Sequence, residues 1–72
     1  MQEAVISLLR AKRIKNPETI VNLAYNIYSH TNSKGNIHIF HVFTTNHSYK
    51  EAVSNSPHKL YKVNTFYIVE FN

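Results

Sequence analysis

The chain has 72 residues, with eight lysines and arginines against four glutamates and no cysteine, which gives a formal net charge of +4 when the histidines are neutral. A chain of this length forms one domain, residues 1–72, and its small core leaves the stability marginal. The lack of cysteine excludes disulfides and thiolate metal sites, so a homodimer is the remaining way to add stability. The composition therefore predicts a small basic globular protein.

The hydropathy pattern does not favour a membrane protein. No apolar run approaches the roughly 18 to 20 residues of a membrane span. The N-terminal residues lack the basic start and apolar stretch of a secretory signal, so we expect a cytoplasmic protein with no membrane partner. The abundance of Asn, Ile, Lys, Tyr and Ser is typical of proteins from AT-rich genomes, including those of phages, and favours a phage or mobile-element origin.

Two helices are expected in the N-terminal part of the chain. The first is predicted over residues 2–15 by apolar residues at i, i+3 and i+4, namely Val5, Leu8 and Leu9. Asn16 and Pro17 then have the form of a helix start, with Asn at the cap and Pro at the first helical position. A second helix is predicted from there to about Ser29, with an apolar stripe formed by Ile20, Leu23, Ala24 and Ile27.

Residues 31–36 are predicted to form a turn, in which Gly35 can take a positive φ at no steric cost. The rest of the chain is predicted to be mainly strand. Residues 37–43 are β-branched and aromatic, and neither face of this strand is purely polar, so it is expected in the centre of a sheet. A capping box at Ser48 and Glu51 predicts a short helix over about 49–54. Residues 59–71 form either one strand or a hairpin closed at Asn64–Thr65. The predicted fold is α+β, two N-terminal helices on a two- or three-stranded sheet with a short intervening helix.

A basic cluster lies at the end of the first predicted helix, formed by Arg10, Lys12, Arg13 and Lys15. Cations there complement the helix dipole, but they can also contact phosphates, with Lys34, Lys59 or Lys62 in support. The layout is that of a helix-turn-helix protein, yet the second helix carries no Arg or Lys that could read bases. Contact through the cluster is therefore expected to be salt-sensitive and weakly specific.

No catalytic, cofactor or metal site is predicted. His38 and His41 are three residues apart on a strand, so they face opposite sides and cannot share an ion. Without cysteine or aspartate, a zinc site would need an all-histidine or histidine–glutamate set. The sequence has no glycine-rich phosphate loop and no nucleophile motif, so we expect a protein that is not an enzyme.

Two functions remain open. The preferred one is a binding protein that inhibits or modulates a host protein or nucleoprotein complex, with an interface anchored by Tyr25, Tyr28, Tyr61 and Tyr67. The alternative is a nucleic-acid-binding regulator of transcription or replication that contacts phosphates through the basic cluster. The missing base-reading cations count against the alternative.

Overall fold

The computed structural model describes residues 2–54 and 58–71. The helices in these two ranges are α1 (Gln2–Ala11) and α2 (Asn46–Val53), with a 3-10 turn at Pro17–Thr19. The strands are β1 (Val21–Ala24), β2 (Ile27–Thr31), β3 (Ile37–Phe43), β4 (Lys59–Val63) and β5 (Phe66–Phe71). Within the described ranges, neither α1 nor α2 has the length and hydropathy that a membrane-spanning helix needs.

The five strands form one antiparallel sheet in the order β1-β2-β3-β5-β4. Strands β1, β2 and β3 follow one another as a meander, and β4 and β5 form a hairpin whose last strand lies beside β3. The hairpin turn contains Asn64, which adopts a left-handed conformation at φ 54°. As a result β3 is the central strand, and β1 and β4 are the two edges.

The prediction of two N-terminal helices on a two- or three-stranded sheet is wrong. The three residues that directly follow Asn16 form only a 3-10 turn, and residues 21–31 form the β1–β2 hairpin instead of a second helix. Asn26 takes a left-handed conformation at φ 62° between the two strands. The apolar residues of this segment fit a helical stripe and also an alternating strand pattern, and β-branched residues such as Val21 and Ile27 favour the strand.

Other boundaries differ less. Helix α1 ends at Ala11 and not at residue 15, and α2 begins three residues before the predicted start. The capping residue of α2 is Thr45, whose side-chain oxygen accepts a hydrogen bond of 3.3 Å from the backbone N–H of Ser48. Strand β3 has the predicted bounds and the central position, and residues 59–71 form the hairpin, which was one of the two alternatives.

The main core lies between α1 and one face of the sheet, which we call the helix-covered face. One face of α1 supplies one side of this core, and strands β2, β3 and β5 supply the other. Its buried apolar members are Ala4, Val5, Leu8, Leu9, Ile20, Tyr28, Phe40, Val42 and Ile68. The opposite face is covered at one end by α2, where the Tyr49 ring lies 6.5 Å from Phe43 and 5.1 Å from Tyr67.

Candidate anion-binding site

The end of α1 is a Schellman motif, a turn that satisfies the last helical carbonyls. The backbone N–H of Arg13 donates to the carbonyl of Arg10, and that of Ile14 donates to the carbonyl of Leu9, both at 3.0 Å. The apolar side chain that accompanies this motif is Ile14, which is half-buried against the core. The chain therefore leaves the helix in a fixed direction.

The central residue of this motif is Arg13, which has φ 60°. Glycine is the usual residue there because a side chain in the left-handed conformation costs roughly 1–2 kcal/mol. Three residues later Asn16 is also left-handed, at φ 56°, a conformation that asparagine tolerates better than other side chains. The strained arginine marks this loop as a place where function can outweigh local stability.

A second loop, the β2–β3 turn, lies opposite. Gly35 takes a positive φ of 86°, and its N–H donates to the carbonyl of Asn32. The side-chain oxygen of Asn32 accepts hydrogen bonds from the backbone N–H groups of Lys34 (2.9 Å) and Asn36 (3.0 Å). This turn, whose position was predicted, is thus ordered by its own asparagine.

The two loops enclose a solvent-open cavity of about 530 Å³, which we call the basic pocket. Arg13 and Lys15 belong to the loop after α1, and Lys34 belongs to the β2–β3 turn. The other lining residues are Ile14, Asn16, Thr19, Thr31, Asn32, Ser33 and Asn36. Among the residues described, no carboxylate lines the pocket and none of its three cations forms a salt bridge. Such a site attracts anions.

The other predicted cations lie elsewhere. Arg10 forms a salt bridge with Glu18, and this hydrogen bond holds the pKa of the Glu18 carboxyl below its ordinary value. Lys59 and Lys62 lie on β4, the far edge of the sheet, where Lys62 is 5.5 Å from the ring centre of Tyr67. The seven predicted cations therefore do not form one surface, and three of them share the pocket.

Lys12 is committed to a buried glutamate. Its ammonium donates to the carboxylate of Glu70 at 2.9 Å and to the hydroxyl of Tyr61 at 3.1 Å, and Tyr61 itself donates to Glu70 at 2.9 Å. The other carboxylate oxygen lies 2.8 Å from Nδ1 of His38. This group of four residues, which we call the Glu70 network, connects the C-terminal end of α1 to β3, β4 and β5.

The Glu70 network keeps its carboxylate charged. Burial alone would raise the pKa of Glu70, but the hydrogen bonds from Lys12, His38 and Tyr61 outweigh burial and hold the pKa below its ordinary value. For Lys12, burial lowers the pKa, but hydrogen bonds to Tyr61 and Glu70 outweigh it and raise the pKa above the ordinary lysine value. Both groups are therefore ionised at neutral pH, and the contact is a charged pair.

The four tyrosines predicted as interface anchors are also separated. Tyr28 is buried in the main core, and Tyr61 is half-buried in the Glu70 network. Tyr67 is half-buried beside Tyr49. Tyr25, at the β1–β2 turn, is 84% exposed. Of the predicted tyrosines, Tyr25 is thus the one whose ring is largely available to a partner.

The histidines do not assemble a metal site in the described part of the chain, where no group of three potential ligands occurs. His38 and His41 project from opposite faces of β3, as their spacing predicts. His38 contacts Glu70, and the ring centre of His41 lies 4.1 Å from that of Phe43, with the rings tilted by 33°. His30 is buried beside the pocket residue Thr19, whose Oγ1 lies 3.1 Å from its Nδ1. Burial and the charge of His38 lower the pKa of His30.

Replacing the buried carboxylate tests the Glu70 network. We expect Glu70→Gln to lower the free energy of unfolding by about 2 kcal/mol, measured by urea denaturation at pH 7. Breaking a wholly buried ion pair costs roughly 3–5 kcal/mol, and the loss is smaller here because Lys12 is 31% exposed and can be hydrated. The matched control is Glu51→Gln, which removes a 73% exposed carboxylate and should change stability by less than about 0.5 kcal/mol.

The same two proteins should differ in their pH dependence. Because the folded pKa of Glu70 is depressed, its contribution is complete above roughly 4.3, the ordinary glutamate value, and is lost as the pH falls further. His30 and His41 also have lowered pKa values, so they weaken the fold from about pH 6.5 downward in both proteins. Equal losses below pH 4 in wild type and Glu70→Gln would contradict this assignment.

Strain at Arg13 gives a second stability test. We expect Arg13→Gly to raise the free energy of unfolding by about 0.5–1 kcal/mol, because glycine adopts the left-handed conformation without a clash but loses more entropy on folding. Arg13→Ala removes the same charge and keeps the Cβ, so it should not stabilise. The stabilities of the two variants are compared by thermal denaturation. Equal stabilisation of both would show that the gain comes from removing the charge and not from relieving backbone strain.

Comparison of the chain with known protein families, characterised proteins and solved structures finds no match. No function is therefore transferred to the chain by similarity, and the basic pocket and its surroundings are the guide to what it binds. Three unpaired cations at one cavity, on two ordered loops of the described chain, are the feature best suited to binding another molecule.

Proposed function

We propose that this protein is a non-enzymatic binding protein that modulates a nucleoprotein complex by contacting nucleic-acid phosphates through the basic pocket. The observation that carries the proposal is the convergence of Arg13, Lys15 and Lys34 on one cavity with no carboxylate among its described lining residues. Three cations at one cavity give a local positive potential that favours the binding of an anion.

A phosphate backbone suits this pocket better than an acidic protein surface does. A nucleic-acid strand presents a charge every 3.4 Å or so, which gives several closely spaced anions to a concave basic site. The asparagine side chains of the lining and the hydroxyl of Thr31 can donate further hydrogen bonds to phosphate oxygens. Apart from Ile14, the lining residues are basic (Arg and Lys) or uncharged and polar (Ser, Thr and Asn), which is a composition typical of contact with a phosphate backbone.

The same geometry predicts little sequence discrimination. No aromatic residue lines the pocket within the described chain, so bases have no ring there on which to stack. Tyr25 lies at the opposite end of β2 from the pocket residue Thr31. Binding should therefore depend on salt and charge far more than on base sequence.

An interface anchored by tyrosines has less support. Tyr28 is inside the core and Tyr61 donates its hydroxyl proton to Glu70, so two of the four rings cannot leave their contacts without cost. A host-protein partner remains the alternative proposal, with Tyr25 as its strongest anchor. The binding experiment that tests the pocket also distinguishes this alternative.

The test compares two triple variants of equal net charge. Arg13→Ala, Lys15→Ala and Lys34→Ala together remove the pocket cations, whereas Lys50→Ala, Lys59→Ala and Lys62→Ala remove three exposed cations on α2 and β4. Binding to random duplex and single-stranded oligonucleotides is measured by fluorescence anisotropy across a salt series. For the wild type on duplex, a plot of the logarithm of the association constant against the logarithm of the salt concentration should have a slope of about −2.7 if three phosphate contacts form. Each contact contributes about −0.9.

The pocket variant should lose at least about tenfold in affinity and most of the salt slope, and the control variant should keep most of both. Equal losses in the two variants would mean that net charge alone drives binding, which contradicts the pocket. A polyglutamate chain that binds more tightly than nucleic acid at the same salt would instead support an acidic protein partner. Arg13→Gly should bind as weakly as Arg13→Ala despite its higher stability.

A further inference from the structure

The two edges of the sheet differ in how they are protected. Edge strands expose unpaired backbone groups, and lysines along an edge discourage pairing with another chain. Strand β4 carries two lysines in five residues, Lys59 and Lys62. Strand β1 carries no charge, and all four of its residues are exposed, with Val21 and Leu23 each 56% accessible. One edge is blocked and the other is left open.

The open edge belongs to a longer neutral segment. From Ile20 to Ser33 the sequence has no Lys, Arg, Asp or Glu, although the chain as a whole has a net charge of +4. A charged partner would therefore find no complementary charge there. A second copy of the chain brings an equally neutral strand to the contact.

We infer that β1 pairs antiparallel with β1 of a second copy, which joins the two sheets into one of ten strands. This inference is independent of the proposed function. Pairing centred on the strand is self-complementary: it places Val21 opposite Ala24 of the copy and Asn22 opposite Leu23 of the copy. The backbone groups on the outer side of β1, which have no strand partner among the described residues, then become hydrogen-bonded.

Tyr25 gives this contact an apolar anchor. In the same register Tyr25 of each copy lies beyond the end of the partner strand, opposite Ile20 of the copy. Its ring is 84% exposed in the single chain, and a tyrosine at an interface buries a large area while its hydroxyl stays in water. The bulge between Asn22 and Ala24 and the shortness of β1 limit the number of hydrogen bonds, so the dimer is expected to be weak.

The symmetry of the pair places both basic pockets on one side. An antiparallel pair of identical strands is related by a two-fold axis perpendicular to the sheet, so each helix-covered face points the same way. Each pocket lies near the Val21 end of its own β1, where the loop before the strand lines it. The two pockets therefore lie on the same side of the joined sheet, at opposite ends of the β1 contact.

The test uses one leucine on each edge. Leu23→Lys adds a charge to the open edge, and Leu60→Lys adds the same charge to β4, where Leu60 is 45% exposed. Sedimentation velocity from about 1 μM to about 1 mM should show a monomer–dimer equilibrium for the wild type. We expect Leu23→Lys to raise the dissociation constant at least about tenfold and Leu60→Lys to change it less than about threefold. Circular dichroism confirms that both variants are folded.

A single-cysteine experiment locates the contact directly, because the chain has no cysteine of its own. Asn22→Cys should form a disulfide-linked dimer under mild oxidation, and Leu60→Cys should not. A wild type that stays monomeric at every concentration would overturn the inference and leave the edge to a neutral strand of another protein. Faster crosslinking of Leu60→Cys than of Asn22→Cys would overturn it as well, since the copies would then meet elsewhere.

Discussion

Glu70 imposes the strongest constraint on this fold. It lies on β5 next to the central strand, it faces α1, and it is 1% exposed, so its charge has to be met by neighbouring groups. Lys12 supplies the countercharge from the first residue after α1, and His38 and Tyr61 complete the set from β3 and β4. That requirement fixes where the helix ends over the sheet. Arg13 follows directly, and the direction of the chain beyond it gives the basic pocket its first wall.

Net charge is therefore a poor guide to the binding surface of this protein. The cluster at the end of α1 has four cations in the sequence, but the structure assigns one to Glu18, one to Glu70 and two to the pocket. The third pocket cation, Lys34, comes from a turn about twenty residues away that is positioned by the hairpin. To predict the binding surface, one therefore has to know which cations are paired with a carboxylate as well as where the cations lie.

The sequence predicts some elements well and others badly, for physical reasons. β3 and the turn at Asn32–Gly35 depend on local signals, namely β-branched residues and an asparagine–glycine turn, and both occur where expected. Residues 20–31 satisfy helical and strand periodicities alike, and only pairing with β3 decides between them. The pocket could not be predicted because its walls are distant in sequence. The position of Glu70 carried a signal, since it follows Ile68 by two residues and therefore shares the face of β5 that is directed to the core.

The topology also divides assembly of the molecule into local and distant steps. The β1–β3 meander and the β4–β5 hairpin close through short turns. Strands β3 and β5, in contrast, pair residues that are 24 positions apart at Phe43–Tyr67 and 32 positions apart at Ile39–Phe71. The connection between β3 and the β4–β5 hairpin is the longest in the sheet. Closing it costs conformational entropy before the contacts between β3 and β5 can stabilise the chain. Lys12 meets Glu70 across 58 residues at the same stage. We therefore expect two preformed pieces to dock late, with the charge on Lys12 remaining hydrated until they do.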